Sequence, residues 1–312
     1  ILLAVCSKND ENIAKEPFVR HDEMVLRLED IAVFVANWED KAGNIRRIRE
    51  TMNISMDSMV FVDDSPFERA AVRSLIPEIT VPDLPEDPAL YLTCLQNLNL
   101  FETTSFSAAD TQRTALYQAA AKAAESLTRY ATYDEYLRDL GMTAAARPFD
   151  ELHYARIAQL TQRANQFNLR AIRYSEAEIA AAAHNGNLYT LYFTLQDKFT
   201  DYGLIGVVVM EKQRSDTLFV DTWLMSCRAL GRGMEEFIVN TMLETAQRNG
   251  FAFVVGEYDK TAKNSRVENI YEKLGFSAAG QGKFIAATES FTLNKTFVNA
   301  AGCAEDATRN SA

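Results

Sequence analysis

Asp63 and Asp64 stand side by side at the end of an apolar run, MVFVDD. Adjacent carboxylates repel each other, and no basic residue follows before Arg69, so a cation would relieve the pair. Oxygen-only ligation with no His or Cys nearby suits Mg²⁺. A solvated turn in which Asp-Asp-Ser-Pro caps the next helix is the competing reading. Lys41 opens a helical run just after IAVFVANW, where the positive end of the helix dipole disfavours a lysine. A phosphate dianion would account for it, and so would a side chain that snorkels to water. A third apolar run, at the very start of the chain, ends in Cys6, Ser7, Lys8 and Asn9.

A second constellation lies in the other half. Arg228-Ala-Leu-Gly231-Arg232-Gly233 is an R-x-x-G-x-G loop between a strand pattern and a long helix pattern. Its glycines let backbone N–H groups approach a diphosphate, and the helix start adds a positive end. Asn264 and Tyr271, seven positions apart, follow it, with Tyr271 inside YEKLGF, a helix end with a Gly cap. QLTQRANQFNLR (159–170) concentrates polar residues that lower helix propensity. They either cap a helix end or line a polar pocket, and Thr161, Asn165, Gln166 and Asn168 are the pocket candidates. Asp197 and Asp201 in DKFTDYGLIG suit a hairpin turn equally well.

The elements that position these residues fall into two groups. In 1–103, the runs 1–5, 31–37, 59–64 and 78–84 read as strands, alternating with helices over 12–21, 40–53 and 65–76. Apolar strands spaced by helices imply a parallel sheet covered on both faces, whose ligands gather at the carboxyl ends of the strands. Residues 104–142 are alanine-rich and predict a helical connector. Residues 143–297 begin with helices at 150–169 and 175–184 and continue with strands at 187–197, 204–213 and 217–226. A helix over 231–249, a strand at 251–258, a helix over 264–274 and a closing strand near 284–295 complete an α+β domain. Residues 298–312 are small, polar and aperiodic, and are expected to be a disordered tail.

Composition narrows the function classes. With 47% hydrophobic and 24% charged residues, 312 residues suffice for two cores. A net charge of −11 gives no basic footprint for nucleic acid. No apolar run is long enough for a membrane helix. Four cysteines without a CxxC pair and three scattered histidines form neither a disulfide framework nor a zinc site, which fits a reducing cytoplasm. Each histidine reads best as a surface or hydrogen-bonded residue.

The order Ser7, Lys41, Asp63-Asp64 resembles three of the four motifs of haloacid-dehalogenase-type (HAD) phosphotransferases. That resemblance implies a serine bonding a phosphate oxygen, a lysine neutralising charge and an acidic pair holding Mg²⁺. The family's first motif, a DxD strand whose leading Asp attacks phosphorus, has no counterpart in the sequence given. The expectation is an N-terminally incomplete Rossmann-like sheet, its first strand missing upstream of Ile1 and an apolar edge left exposed. The R-x-x-G-x-G…Asn…Tyr set is similar to the GNAT fold. This implies a loop holding pantetheine or CoA diphosphate (Arg228, Gly231, Arg232, Gly233), a cofactor contact at Asn264 and a thiolate-protonating Tyr271. More closely, ILLAVCSKND, HDEMVLRLEDIAVFVANWEDKAGNI and SMVFVDDSPFERAAVR resemble the FkbH-like proteins, over residues 1 to about 296. These join a HAD subfamily IIIC phosphatase domain to a GNAT-like acyltransferase domain.

That resemblance implies a cytoplasmic, Mg²⁺-dependent glyceryltransferase and phosphatase. It would move a glyceryl unit from 1,3-bisphosphoglycerate to the phosphopantetheine thiol of an acyl carrier protein and remove the phosphate. The pathway could be polyketide, polysaccharide or lipid synthesis. The phosphate site would comprise Ser7, Lys8, Asn9 and Lys41, with the metal on Asp63 and Asp64. An enzyme thioester could form on Cys6 or Cys227, both at strand ends beside helix starts, where a thiolate is stabilised. An inert thiol is the default for either; of the two, Cys6 is preferred because the acyl phosphate would bind there. The alternatives are a CoA-dependent N-acyltransferase with a degenerate companion domain and a non-catalytic carrier-docking module.

Overall fold

A computed structural model of the chain describes residues 1–102, 114–119 and 130–301. It divides into two compact units, Ile1–Arg129 and Tyr130–Ala312. The division falls inside the expected connector, of which residues 114–119 are helical and 130–142 belong to the second unit. The rest of that connector lies outside the described residues. No helix among the described residues is long and apolar enough to cross a membrane.

In the first unit, β1 (Leu3–Ser7) pairs in parallel with β2 (Ile31–Ala36), Val5 opposite Phe34 and Ser7 opposite Ala36. Helices α1 (Glu11–Arg20), α2 (Lys41–Met52) and α3 (Pro66–Leu75) follow the pattern read from the sequence, and α4 (Tyr91–Asn97) is added. Asp40 caps α2 by accepting the Gly43 N–H at 2.7 Å, and Asn53 ends it in the left-handed region at φ 46°. The spacing of Ala42, Ile45, Ile48 and Met52 gives α2 a buried face, which packs on Phe61, Val72, Ile76 and Ile79 on one side and on Ala32 and Val33 on the other. Each fully buried aliphatic side chain contributes roughly 1.5–3 kcal/mol, so these clusters hold the first turn of α2 in place.

Two expected strands shrink. Residues 59–64 and 78–84 meet only at a parallel bridge between Val60 and Thr80, where Phe61 N–H donates to Thr80 O and Thr80 N–H to Met59 O. Pro77 precedes the second stretch and Pro82 lies within it, and both remove ladder donors. Among the described residues β1 pairs with β2 alone, and β1 is half-buried rather than a core strand.

The second unit is a mixed sheet with strand order β11-β3-β5-β6-β7-β8-β10-β9 and with β4 added on β7. Its strands are β3 (Thr143–Arg147), β4 (Phe167–Asn168), β5 (Leu188–Gln196), β6 (Asp201–Arg214), β7 (Thr217–Met225), β8 (Phe253–Glu257), β9 (Ser277–Gly280), β10 (Lys283–Ala287) and β11 (Asn299–Ala300). The helices are α5 (Tyr133–Asp139), α6 (Tyr154–Arg163), α7 (Glu176–Ala183), α8 (Met234–Arg248) and α9 (Ile270–Lys273). Strands β5, β6 and β7 form an antiparallel meander, and β7 then pairs in parallel with β8 over Thr217–Phe219 only. Past that point 167–169 occupies the space between them: Leu169 N–H donates to Trp223 O, and Asp259 N–H donates to Leu169 O.

Two further expectations need correction. The expected domain from 143 onward opens with a strand, β3, not a helix: TAAAR is a helix former by composition, yet it is held between β5 and β11. The expected tail starts too early, because Val298 is buried and Asn299–Ala300 pair with β3. Residues 302–312 lie outside the described residues.

Candidate active site and thiol-ligand loop

In the first unit, the carboxyl end of β1, the start of α2 and the stretch around Asp63 converge. Lys41 Nζ meets Asp63 Oδ2 at 2.5 Å, with only 12% and 6% of the two side chains exposed. Asp63 Oδ1 accepts the Ser65 N–H at 3.0 Å. Lys8 Nζ pairs with Glu68 Oε1 at 2.7 Å. Arg69, buried in α3, donates through Nη1 to the carbonyls of Asp63 and Asp64, which fixes how the acidic pair is presented. Ser7 sits between Cys6 and Lys8, and its backbone carbonyl accepts the Asn37 N–H at 3.1 Å. Its hydroxyl makes no hydrogen bond among the described residues. Asn9 Oδ1 accepts the Asp10 N–H, and Asp10 caps α1.

Ser7, Lys8, Lys41 and Asp63 are therefore brought to one sheet edge. Asn9 is turned into a local cap. Arg69 and Glu68 were missed in the sequence reading. Their signal was the helix that Asp-Asp-Ser-Pro starts, whose first turns must return to the strand end.

At Cys6 the environment favours the default, an inert thiol, over the stabilised thiolate. Its Sγ faces the Lys41 carbonyl at 3.7 Å. Burial pushes the thiol up to about 11; Lys41 pulls it down, while Asp63, Glu68 and Asp40 push it further up. At neutral pH Cys6 is a thiol. Cys227 is half-buried and is not in a disulfide.

The acidic pair supplies hard oxygen donors, but among the described residues no group of three or more His, Cys, Asp or Glu side chains could hold a metal by itself. Asp63 is already shared between Lys41 and the Ser65 N–H, and Asp64 is exposed. That set fits Mg²⁺ in its usual manner, on one or two carboxylates with waters and substrate oxygens completing the shell.

In the second unit, Gly231 and Gly233 adopt φ of +72° and +82°, a conformation that L side chains rarely take, so the R-x-x-G-x-G loop depends on both. Glu235, at the second position of α8, accepts the Gly231 N–H on Oε1 at 2.9 Å. Arg232 turns away from the loop to Asp197, Nη1 to Oδ2 at 2.8 Å. Arg228 Nε donates to Ser226 Oγ at 3.3 Å.

The other candidates serve the fold in this structure. Asn264 is fully buried: its amide donates to the carbonyls of Asn168 and Asp259, and its Oδ1 accepts from Thr261 N–H and the Tyr258 hydroxyl. It staples 259–264 to 168 and offers nothing to a cofactor. Tyr271 is sealed among Trp223, Phe276 and Phe284, and its ring fills the space that a side chain at Gly256 would need. Burial raises its phenol far above the usual range, with the Glu257 backbone acting weakly against it, and among the described residues the hydroxyl meets no side-chain partner. This geometry contradicts a role as the exposed acid that protonates a thiolate.

Thr161 is fully buried, donates to Ala158 O and accepts the Tyr174 N–H; Asn165 Oδ1 accepts from Arg173. These two tie a helix end to the following segment, the capping alternative of the sequence reading. Gln166 and Asn168 are the exceptions, each with a buried side-chain oxygen that lacks a hydrogen-bond partner.

No protein-family model matches the chain, and no curated protein does. Among solved structures, one similar chain is the N-terminal part of a Bacteroides fragilis protein containing a phosphatase domain complexed with Mg. It is 67% identical over 34% of this chain, with a TM-score of 0.34, and the match spans 28% of that chain's length. The spermidine N-acetyltransferase of Vibrio cholerae, in complex with CoA and spermine, is 14% identical over 47% of this chain and 96% of its own, with a TM-score of 0.37. The ribosomal-protein-S18-alanine N-acetyltransferase of Escherichia coli is 16% identical over 46% of this chain and 92% of its own, with a TM-score of 0.35. At these TM-scores, function has to be argued from the chain's own residues.

Proposed function

We propose that the chain serves a glyceryltransferase and phosphatase that loads an acyl carrier protein. The observation that carries this reading is the convergence of Ser7, Lys8, Lys41 and Asp63 on one sheet edge, with Cys6 beside them. A phosphorylated three-carbon acid fits there if it takes over part of the pairing of Lys8 with Glu68 and of Lys41 with Asp63, beside the Ser7 hydroxyl and an acidic pair that a cation would join. Asp63 and Asp64 would hold the magnesium ion, which when bound neutralises charge on phosphate oxygens.

The chain's own groups supply the rest. Ser7 Oγ donates to a phosphate oxygen. Lys41, now paired with Asp63, exchanges part of that pairing for the phosphate. Cys6, a thiol at neutral pH, gives its proton to the departing phosphate oxygen as its sulfur attacks the carbonyl carbon of the acyl phosphate; the C–S bond forms, the C–O bond to phosphate breaks, and inorganic phosphate leaves. Transfer to the pantetheine thiol exchanges one thioester for another, and hydrolysis of the remaining phosphoester frees the glyceryl group. The experiment incubates full-length protein with Mg²⁺, 1,3-bisphosphoglycerate and holo-carrier, and weighs the carrier. A carrier heavier by one glyceryl group is expected with the wild type and not with Ser7→Ala or Lys41→Met; an unmodified carrier overturns the reading.

A further inference from the structure

The Gly231–Gly233 loop carries its own anion. Glu235 folds back from the first turn of α8 so that Oε1 takes the Gly231 N–H, and its own backbone N–H also supports the carboxylate. Its Oε2 is buried without a hydrogen-bond partner among the described residues. The carboxyl is raised above its usual range, chiefly by burial and in lesser part by Glu236; the two N–H groups and Arg266 act in the opposite sense.

Arg232, one of the loop's two arginines, is committed elsewhere. Asp197, whose side chain is fully buried, takes the Arg232 guanidinium at 2.8 Å and the Tyr202 hydroxyl at 2.9 Å, and Arg232 lies 4.8 Å from the centre of the Tyr202 ring. Tyr133 pins the same loop by donating to the Gly231 carbonyl at 2.7 Å. A diphosphate settling on the loop would need the N–H that Glu235 holds, and would meet a carboxylate where an anion site needs a donor. The Glu235 contact and the Arg232 pairing involve different residues and are independent of each other.

We propose that Glu235 excludes diphosphate-bearing thiols such as coenzyme A from the Gly231–Gly233 loop. The inference rests on the reading of this unit as the one that receives the pantetheine thiol, and it adds a basis for preferring carrier-borne pantetheine, whose single phosphodiester carries less charge. It also separates this chain from a CoA-dependent acyltransferase: the loop has the glycines for a diphosphate, and a carboxylate already holds the Gly231 N–H.

The test is coenzyme A binding by calorimetry to the full chain, as wild type, Glu235→Gln and Glu235→Ala. Glu235→Gln keeps the shape and removes the charge, and it carries the test if Glu235→Ala fails to fold; thermal melts check both. The expected result is weak or absent binding by the wild type and at least a tenfold gain in each folded variant, larger for Glu235→Ala. Wild-type binding as tight as that of the variants, or no gain in either, overturns the inference. The carrier assay is scored separately. A coenzyme A gain with an unmodified carrier leaves the exclusion standing and defeats the transferase reading, whereas a modified carrier with no gain does the reverse.

Discussion

Cys6 offers the sharpest test of the first unit because its environment makes a numerical demand. Its thiol is raised from an ordinary 9.0 to about 11. At pH 8 that leaves a thiolate fraction of about 10⁻³, against about 10⁻¹ for the ordinary thiol, a roughly hundredfold deficit. A more basic thiolate is also a better nucleophile, and a Brønsted slope of about 0.4–0.5 returns roughly eightfold. The net expectation is that iodoacetamide alkylates Cys6 on the order of tenfold more slowly than an exposed model thiol at pH 8. The rate should climb with unit slope in log rate against pH to about pH 10. Peptide mass spectrometry follows Cys6 separately from Cys94 and Cys227. Lys41→Met removes the group that pulls the thiol down and should slow alkylation further, while Asp63→Asn should quicken it. A plateau in the wild-type profile below about pH 9 would refute the assignment of Cys6 as a buried, unactivated thiol.

Three further outcomes are expected. Tyr271→Phe removes a buried hydroxyl that meets no side-chain partner among the described residues, so it should hold or raise the melting temperature and leave carrier loading intact; loss of loading in a folded variant would restore Tyr271 as an acid. Arg232→Met strands the fully buried Asp197 carboxylate and should cost about 3–5 kcal/mol in denaturant unfolding of the second unit; a cost under about 1 kcal/mol would contradict the pairing. Asp150 is opposed by burial but held below its ordinary 3.8 by hydrogen bonds from His153 and Tyr192. Its contribution is therefore complete above that value and lost as pH falls through the lower folded value, so Asp150→Asn should flatten the acid limb of thermal stability between about pH 5 and pH 2.

The first unit's site was legible because its residues end apolar runs. A strand that stops at Ser7, a helix that starts at Lys41 and an extended run that stops at Asp63 must share an edge once the runs pack in parallel. What could not be read was local chemistry. Lys41 could be read as free for a phosphate but is committed to Asp63, and the choice between an inert and a stabilised Cys6 stayed open, because both facts depend on residues 22 to 62 positions away. The alanines of β3 hid a strand for a related reason: intrinsic preference pointed to helix, and partners on β5 and β11 overrode it. In the second unit the R-x-x-G-x-G loop was visible, but its polarity was not. Glu235 sits only two positions past Gly233 and reads as a favourable acidic residue in a first helical turn. Its return to the Gly231 N–H is a matter of rotamer.

The measurement that bears most directly on the whole account is the intact mass of a holo-carrier after incubation with full-length protein, Mg²⁺ and 1,3-bisphosphoglycerate. The account predicts a carrier heavier by one glyceryl group, dependent on Ser7, Lys41 and Cys6. A carrier of unchanged mass, under conditions where the protein is folded and the acyl phosphate intact, would contradict it.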